Sequence, residues 1–348
     1  MTDYFGQKKL SQLFGVSISK TALFNAEQSK QIDQGTRYKL GAINTRGWPI
    51  TAVPKMGEIW GNFPKFPKSL SIAVFTTKGG VLKTTLALNL ARYAALHNLK
   101  VCVVGLDMQG DITKALGHQA ELDDRENLEE IIAALNETKG LADIYSKQEV
   151  LSEVLVQTQI PTLFYIPETP ELAAFNEHLT HANRREYWLK EKIIDPLKQY
   201  FDLIVMDCSP NWNKLITNAL VASDILLSPL ECKINNFRNF RVFDHFLREF
   251  KREMHLNFET IFIPTKYSSN KKLSMEIKQR YQEKLEGCTK MGIRDSVVSE
   301  EACAYKVSVP EYALSQIMAD EMRVLLKEIH ERISQHCAFT NSQSHITN

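Results

Sequence analysis

The chain predicts an α/β fold: a mostly parallel sheet flanked by helices, with a small N-terminal winged helix-turn-helix domain ahead of it. Three observations carry this. Six short β-rich apolar runs recur along the chain, at 71–77, 100–106, 162–167, 202–207, 224–230 and 260–265. Continuous apolar runs of that length suit strands buried on both faces of a parallel sheet. Helical patterns fall between them, at 84–97, 127–137, 185–200, 213–222 and 236–255. That alternation is a βαβ series.

The first seventy residues read differently. Segment 10–32 reads as two short helices around Gly15-Val16-Ser17, a spacing that suits a helix-turn-helix. Segment 35–50 then resembles a β-wing. Three prolines and two glycines between 54 and 70 predict a linker. The domains expected are 1–53 for the N-terminal region, 54–70 for the linker, 71–337 for the main domain and 338–348 for a polar tail. Within the main domain, 313–337 forms an amphipathic pattern with mixed charges. It reads as a last helix packed on the sheet rather than a lipid anchor.

Composition narrows the function classes. No run approaches the roughly 20 apolar residues that a membrane helix needs. The segment MTDYFGQKKL has no apolar core of the kind a secretory signal carries. The six cysteines are scattered without a C-x-x-C pair, which argues against a zinc site and for a reducing cytoplasm. The net charge of +1 is unevenly spread. Residues 1–70 carry ten Lys/Arg against four Asp/Glu, and residues 251–294 carry ten against five. Two basic blocks in an otherwise acidic chain point to an anionic partner.

The run 78-KGGVLKTT-85 follows the first strand and opens a helix. Strand, loop, then Lys-Thr in the first helical turn is the geometry that binds phosphate, because loop and helix N–H groups point at the anion. Lys83 would contact phosphates, and the Thr84 hydroxyl would coordinate Mg²⁺. The common pattern G-x-x-x-x-G-K-[ST] has a glycine where Leu82 stands. A leucine suits that position only if its φ is negative.

These residues resemble the deviant Walker A motif, K-G-G-x-G-K-[ST], of the ParA/MinD-type P-loop ATPases. More motifs follow in order. The segment 104-VGLDMQGDIT-113 resembles the family's D-x-D-P-Q-G-N switch, with Gly105 in place of the first aspartate and Met108 in place of the proline. The segment 202-DLIVMDCSP-210 resembles its Walker B strand, and 305-YKVSVPEYA-313 its C-terminal G-x-S-V-x-E-Y segment. The resemblance spans about residues 71–330.

The resemblance implies ATP and Mg²⁺ as cofactors. Lys78, Gly79, Gly80, Val81, Leu82, Lys83, Thr84, Thr85 and Asp207 would hold the nucleotide, with Thr84 and Asp207 on the metal. It implies catalysis by Lys83, by Asp107 as the residue positioning water, and by Lys78 acting across a homodimer. The wider implication is a cytoplasmic, nucleoid-associated partition ATPase. It would hydrolyse ATP slowly and bind DNA non-specifically, with a centromere-binding ParB-type partner stimulating hydrolysis. The N-terminal region would add operator binding, through Ser17, Ser19, Lys20 and Thr21 at the recognition helix and Arg37, Lys39 and Arg46 on the wing. Lys266, Lys271, Lys272 and Arg280 are candidates for non-specific DNA contact. Two alternatives stand beside this reading. One is a membrane-associated MinD-like positioning ATPase. The other is a DNA-binding regulator with a degenerate nucleotide site, suggested by Leu82, Gly105 and Met108. Relatives that carry an iron–sulfur cluster need bridging cysteines, and the strand contexts of Cys102 and Cys208 do not match that arrangement.

Overall fold

The computed structural model describes residues 4–40, 43–117, 138–314 and 316–344. Its centre is an eight-stranded sheet in the order β11-β10-β9-β4-β8-β5-β7-β6. The strands are β4 Leu70–Val74, β5 Val101–Leu106, β6 Val156–Gln157, β7 Leu163–Ile166, β8 Leu203–Cys208, β9 Ile225–Glu231, β10 Glu259–Tyr267 and β11 Ile293–Arg294. All pairs are parallel except β6 with β7. Each expected apolar run contributes one strand. Residues of β4, β5, β8 and β9 are buried throughout, as a sheet covered on both faces requires. Two apolar clusters lie on its two sides, one built on Leu86, Leu90 and Leu325, the other on Phe175, Leu220 and Phe262.

The helix α4 Lys83–Leu96 is covered almost as fully as the strands, with every residue but Thr84 buried. Two of its interior polar side chains, Asn89 and Arg92, are answered from far along the chain. Asn89 Oδ1 accepts from the Val309 N–H at 2.8 Å. Arg92 donates to both oxygens of Glu311, at 2.8 and 2.7 Å. Glu311 also closes a capping box with Ser308 at the start of the short helix Val309–Tyr312. The segment 305–313 therefore matters as the polar counterpart of α4.

The N-terminal region holds α1 Gln7–Phe14, α2 Lys20–Gln28 and an antiparallel sheet β1-β3-β2, with β1 Tyr4–Phe5, β2 Thr36–Leu40 and β3 Ile43–Pro49. Gly15 ends α1 in the left-handed conformation, φ 66°, and makes the turn between the helices.

Two expectations are corrected. The segment 54–70 is not a plain linker: it contributes most of a packed helix, α3 Val53–Trp60, with Met56 fully buried. A proline at the first helical turn starts a helix rather than breaking one. The proposed polar tail largely belongs to a long last helix, Ile317–Ser344. That helix buries Leu325, Leu326, Ile329 and Ile333 in the core, which uses its apolar face. The pattern at 127–137 lies outside the described residues. The pattern at 185–200 forms a π turn, Lys190–Ile194, followed by Asp195–Leu197.

The N-terminal region packs on the far end of α4. A Cβ on Gly57 would fall 1.9 Å from the Leu96 carbonyl oxygen, so only glycine permits this approach. His97 is buried between Phe14, Phe63 and Tyr93, at ring distances of 5.1, 5.3 and 4.2 Å. Its Nδ1 donates to the Tyr93 carbonyl at 2.6 Å.

Two predictions follow from these buried groups. Burial alone would raise the Glu311 pKa, but the Arg92 guanidinium and the Ser308 hydroxyl and N–H hold it below the ordinary value. Its stabilisation is therefore complete above the unfolded carboxylate pKa and is lost as pH falls through the lower folded one. Glu311→Gln leaves Arg92 buried without a counter-charge, and the expected loss at pH 7 is about 3–5 kcal/mol by denaturant titration. Burial lowers the His97 pKa to about 4. Below pH 6.5 the unfolded chain takes up a proton that folded His97 refuses, so stability falls from pH 6.5 towards 4. His97→Leu should flatten part of that slope in Tm, with the rest kept by His330, which burial also lowers.

Candidate functional site

A cleft of about 490 Å³ opens at the C-terminal ends of β4, β5 and β8. In open α/β sheets this is where ligands sit. It is lined by residues 79–85 of the glycine-bearing loop, Asp107 to Gln109 after β5, and Ser209 to Asn211 after β8. The structure thus brings together Gly79, Gly80, Val81, Leu82, Lys83, Thr84, Thr85 and Asp107, as the sequence suggested. Asp207 lies beneath them in β8, paired in register with Val74 of β4 and Gly105 of β5. Lys78 stands at the exposed mouth of the loop.

The loop turns at Gly80, φ 69°, and again at Leu82, φ 70° and ψ 34°. The expectation of a negative φ at Leu82 is therefore overturned. The leucine takes the left-handed conformation that a glycine would take, at a cost of roughly 1–2 kcal/mol. Its side chain packs against the core as partial compensation.

Lys83 is buried at the first position of α4, and its Nζ donates back to the Lys78 carbonyl at 2.9 Å. Burial pulls its pKa below the ordinary value, against the charges of Asp207 and Asp107. Asp207 is almost wholly buried, and neither carboxylate oxygen has a hydrogen bond of ordinary geometry. Burial pushes its pKa up to about 7, with the Thr84 hydroxyl and Lys83 opposing. A buried carboxylate with no hydrogen bond of ordinary geometry, beside a threonine hydroxyl, is a donor set suited to Mg²⁺, which takes one or two protein oxygens and keeps several waters. Asp107 sits at the rim and its Oδ1 accepts from the Gln109 N–H at 3.2 Å.

Several residues at this edge escaped the sequence reading. Asn213 caps the helix Lys214–Val221 and lines the cleft. Glu300 faces it from the helix Val297–Ala304. Glu168, from the loop after β7, is buried and bonds to the Asp107 N–H at 3.0 Å. Burial and the Asp207 charge push its pKa well above the ordinary value, against the N–H groups of Asp107 and Thr113.

The residues considered for DNA contact fall in four places. Ser17, Lys20 and Thr21 are exposed around the start of α2, but the Ser19 hydroxyl caps that helix by accepting from the Ala22 N–H at 3.0 Å. Arg37 and Lys39 project from β2, whereas Arg46, half exposed, is paired with buried Glu27 at 2.8 Å. Lys271, Lys272 and Arg280 are exposed at the helix Lys272–Lys284. Lys266 stands apart from them, on β10 at the cleft.

The left-handed leucine can be tested directly. Leu82→Gly should leave stability within about 1 kcal/mol, because relief of strain offsets lost packing. Leu82→Ala keeps the strain and loses the packing, and Leu82→Val adds a β-branched side chain in the same conformation. The expected Tm order is Gly at or above Leu, then Ala, then Val. An alanine variant as stable as the glycine variant would contradict the left-handed geometry.

Comparison with known proteins agrees with this geometry. A family model described as "AAA domain" matches residues 69–260. The chromosome partitioning protein ParA of Myxococcus xanthus is 31% identical over 162 residues, which cover 47% of this chain and 52% of that protein. The sporulation initiation inhibitor protein Soj of Bacillus subtilis is 32% identical over 162 residues, 47% of this chain and 58% of that protein. The matched region thus spans about half the length of these relatives. A putative plasmid partition protein from Borrelia burgdorferi B31, solved bound to AMPPNP, superposes with a TM-score of 0.62 at 19% identity, covering 76% of this chain and all of that one. At that identity the likeness speaks for the fold alone. The family match takes in more than half of the chain, and the chain belongs to the AAA-domain family.

Proposed function

We propose that the protein is a DNA-partition ATPase that binds ATP with Mg²⁺, hydrolyses it slowly, and uses the nucleotide to switch its association with DNA. The observation that carries this is the cleft itself: a phosphate-type loop, a buried lysine and an unpartnered buried aspartate meet at the ends of three adjacent parallel strands. Partition proteins among its relatives support the choice of cargo.

Phosphoryl transfer asks the protein mainly for positioning and charge neutralisation. The N–H groups of residues 79–85 would cradle the phosphates, and Lys83 would take the charge developing on the transferred group. Thr84 and Asp207 would hold Mg²⁺, which neutralises phosphate charge when bound. Asp107, at the rim, would orient the attacking water. Lys78, exposed at the mouth, would serve the nucleotide of a second copy across a dimer. Non-specific DNA contact would come from Lys271, Lys272 and Arg280, with a centromere-binding partner stimulating hydrolysis. The exposed residues of α2 and β2 would supply operator contact. Lys266, at the cleft, fits the nucleotide better than DNA.

The test is binding to non-specific duplex DNA with and without ATP, wild type beside Lys83→Ala, at 50 and 200 mM salt. The expected result is binding that requires ATP and Lys83 and weakens on the order of 10³-fold across that salt range, if about six phosphates are contacted. Binding indifferent to ATP and to Lys83 would assign the DNA contact to the N-terminal region alone and favour a regulator with an inert nucleotide site.

A further inference from the structure

Gly105 stands where the related motif has its first aspartate, and its surroundings show what replaced it. A Cβ built on Gly105 would fall 2.2 Å from Cγ of Glu168 and 2.6 Å from its Cδ. The space for a side chain at 105 is thus already filled, by a carboxylate arriving from the end of β7. Glu168 is 8% exposed.

Its bonds lie along one segment. Oε1 accepts from the Asp107 N–H at 3.0 Å. Oε2 accepts from the Thr113 hydroxyl at 3.2 Å and from the Thr113 N–H at 3.4 Å. The Glu168 N–H donates to Thr113 Oγ1 at 2.8 Å. One side chain therefore ties down both ends of 107–113, which carries Asp107, Gln109 and the left-handed turn at Gly110. An aspartate at 105 could bond the N–H two residues on by itself, as Asx side chains do. It would lie beside Asp207, its partner in register. Here the acceptor comes from outside the segment, and it reaches Thr113 as well.

We propose that Glu168 is the positioning residue of the switch segment, taking the place left by Gly105 and fixing the backbone on both sides so that Asp107 faces the cleft. The activity arm of its test rests on the ATPase reading above; the backbone arm does not.

The test compares the full chain with Glu168→Ala, Glu168→Gln, Gly105→Asp and the double variant Gly105→Asp/Glu168→Ala. Three quantities are read: hydrogen–deuterium exchange across 105–115, affinity for a fluorescent ATP analogue, and kcat. In Glu168→Ala, the amides of 107 and 113 should exchange about tenfold faster or more, having lost their hydrogen-bond acceptor. The kcat should fall by at least roughly tenfold from misplacement of Asp107, with analogue affinity within about threefold of wild type. The double variant should recover protection at 107 and part of kcat. Gly105→Asp alone should do worse than the double, because it collides with Glu168. Unchanged exchange and unchanged kcat in Glu168→Ala would overturn the proposal. If wild type hydrolyses no ATP, the ATPase reading fails and exchange alone decides the role of Glu168. If Glu168→Ala does not fold, Glu168→Gln decides: it keeps the volume and one acceptor, so faster exchange at one of the two amides supports the proposal and none at either overturns it.

Discussion

The burial of α4 is the constraint on which the rest of the molecule depends. On a helix buried on all sides an unanswered charged or amide side chain is costly, since a lost partner costs the full desolvation of the group left behind. Asn89 and Arg92 face inward on this helix, and both are answered by the segment around Ser308 and Glu311, more than two hundred residues away. The sheet order then follows. α4 crosses from β4 to β5 with β8 between them, so the loop before α4, the turn after β5 and the end of β8 converge at one edge.

That edge holds charge in a dry place. Lys83, Asp207 and Glu168 are each more than nine-tenths buried. Lys83 finds a backbone carbonyl, and Glu168 finds two N–H groups and a hydroxyl. Asp207 finds no ordinary hydrogen bond. A buried carboxylate in this setting has hydrogen-bonding and charge capacity that its own neighbours leave unused. Unpaired buried groups of this kind are expected where binding energy is to be used.

Most of the fold was legible in the sequence because buried strands and covered helices write their period into the apolar pattern. The six apolar runs became six strands, and the Lys-Thr pair fell at the start of α4. What was missed has physical reasons. Proline and glycine at 54–61 read as punctuation, yet Pro54 starts a helix and Gly57 permits its contact with Leu96. The conformation of Leu82 contradicts local propensity, and only the surrounding loop imposes it. Arg46 looks like a free wing cation until the fold sets Glu27 beside it. Glu168 left no local signal: it follows a strand in a stretch with no motif, and it gains meaning only when β5 and β7 pair and the absent side chain at 105 makes room.

The two ends of α4 serve different parts of the chain. Its first turn carries Lys83 and the phosphate-type loop. Its last turn meets the α3 backbone at Gly57, and His97 beyond it packs among Phe14, Phe63 and Tyr93. Neither contact has slack, since a Cβ at Gly57 or at Gly61 would come within 1.9 Å of Leu96 or His97. Close-packed interiors pass on displacements rather than absorb them. The helix that holds the cleft in place is therefore also tied to the helix pair α1 and α2, because Phe14 at the end of α1 packs on His97.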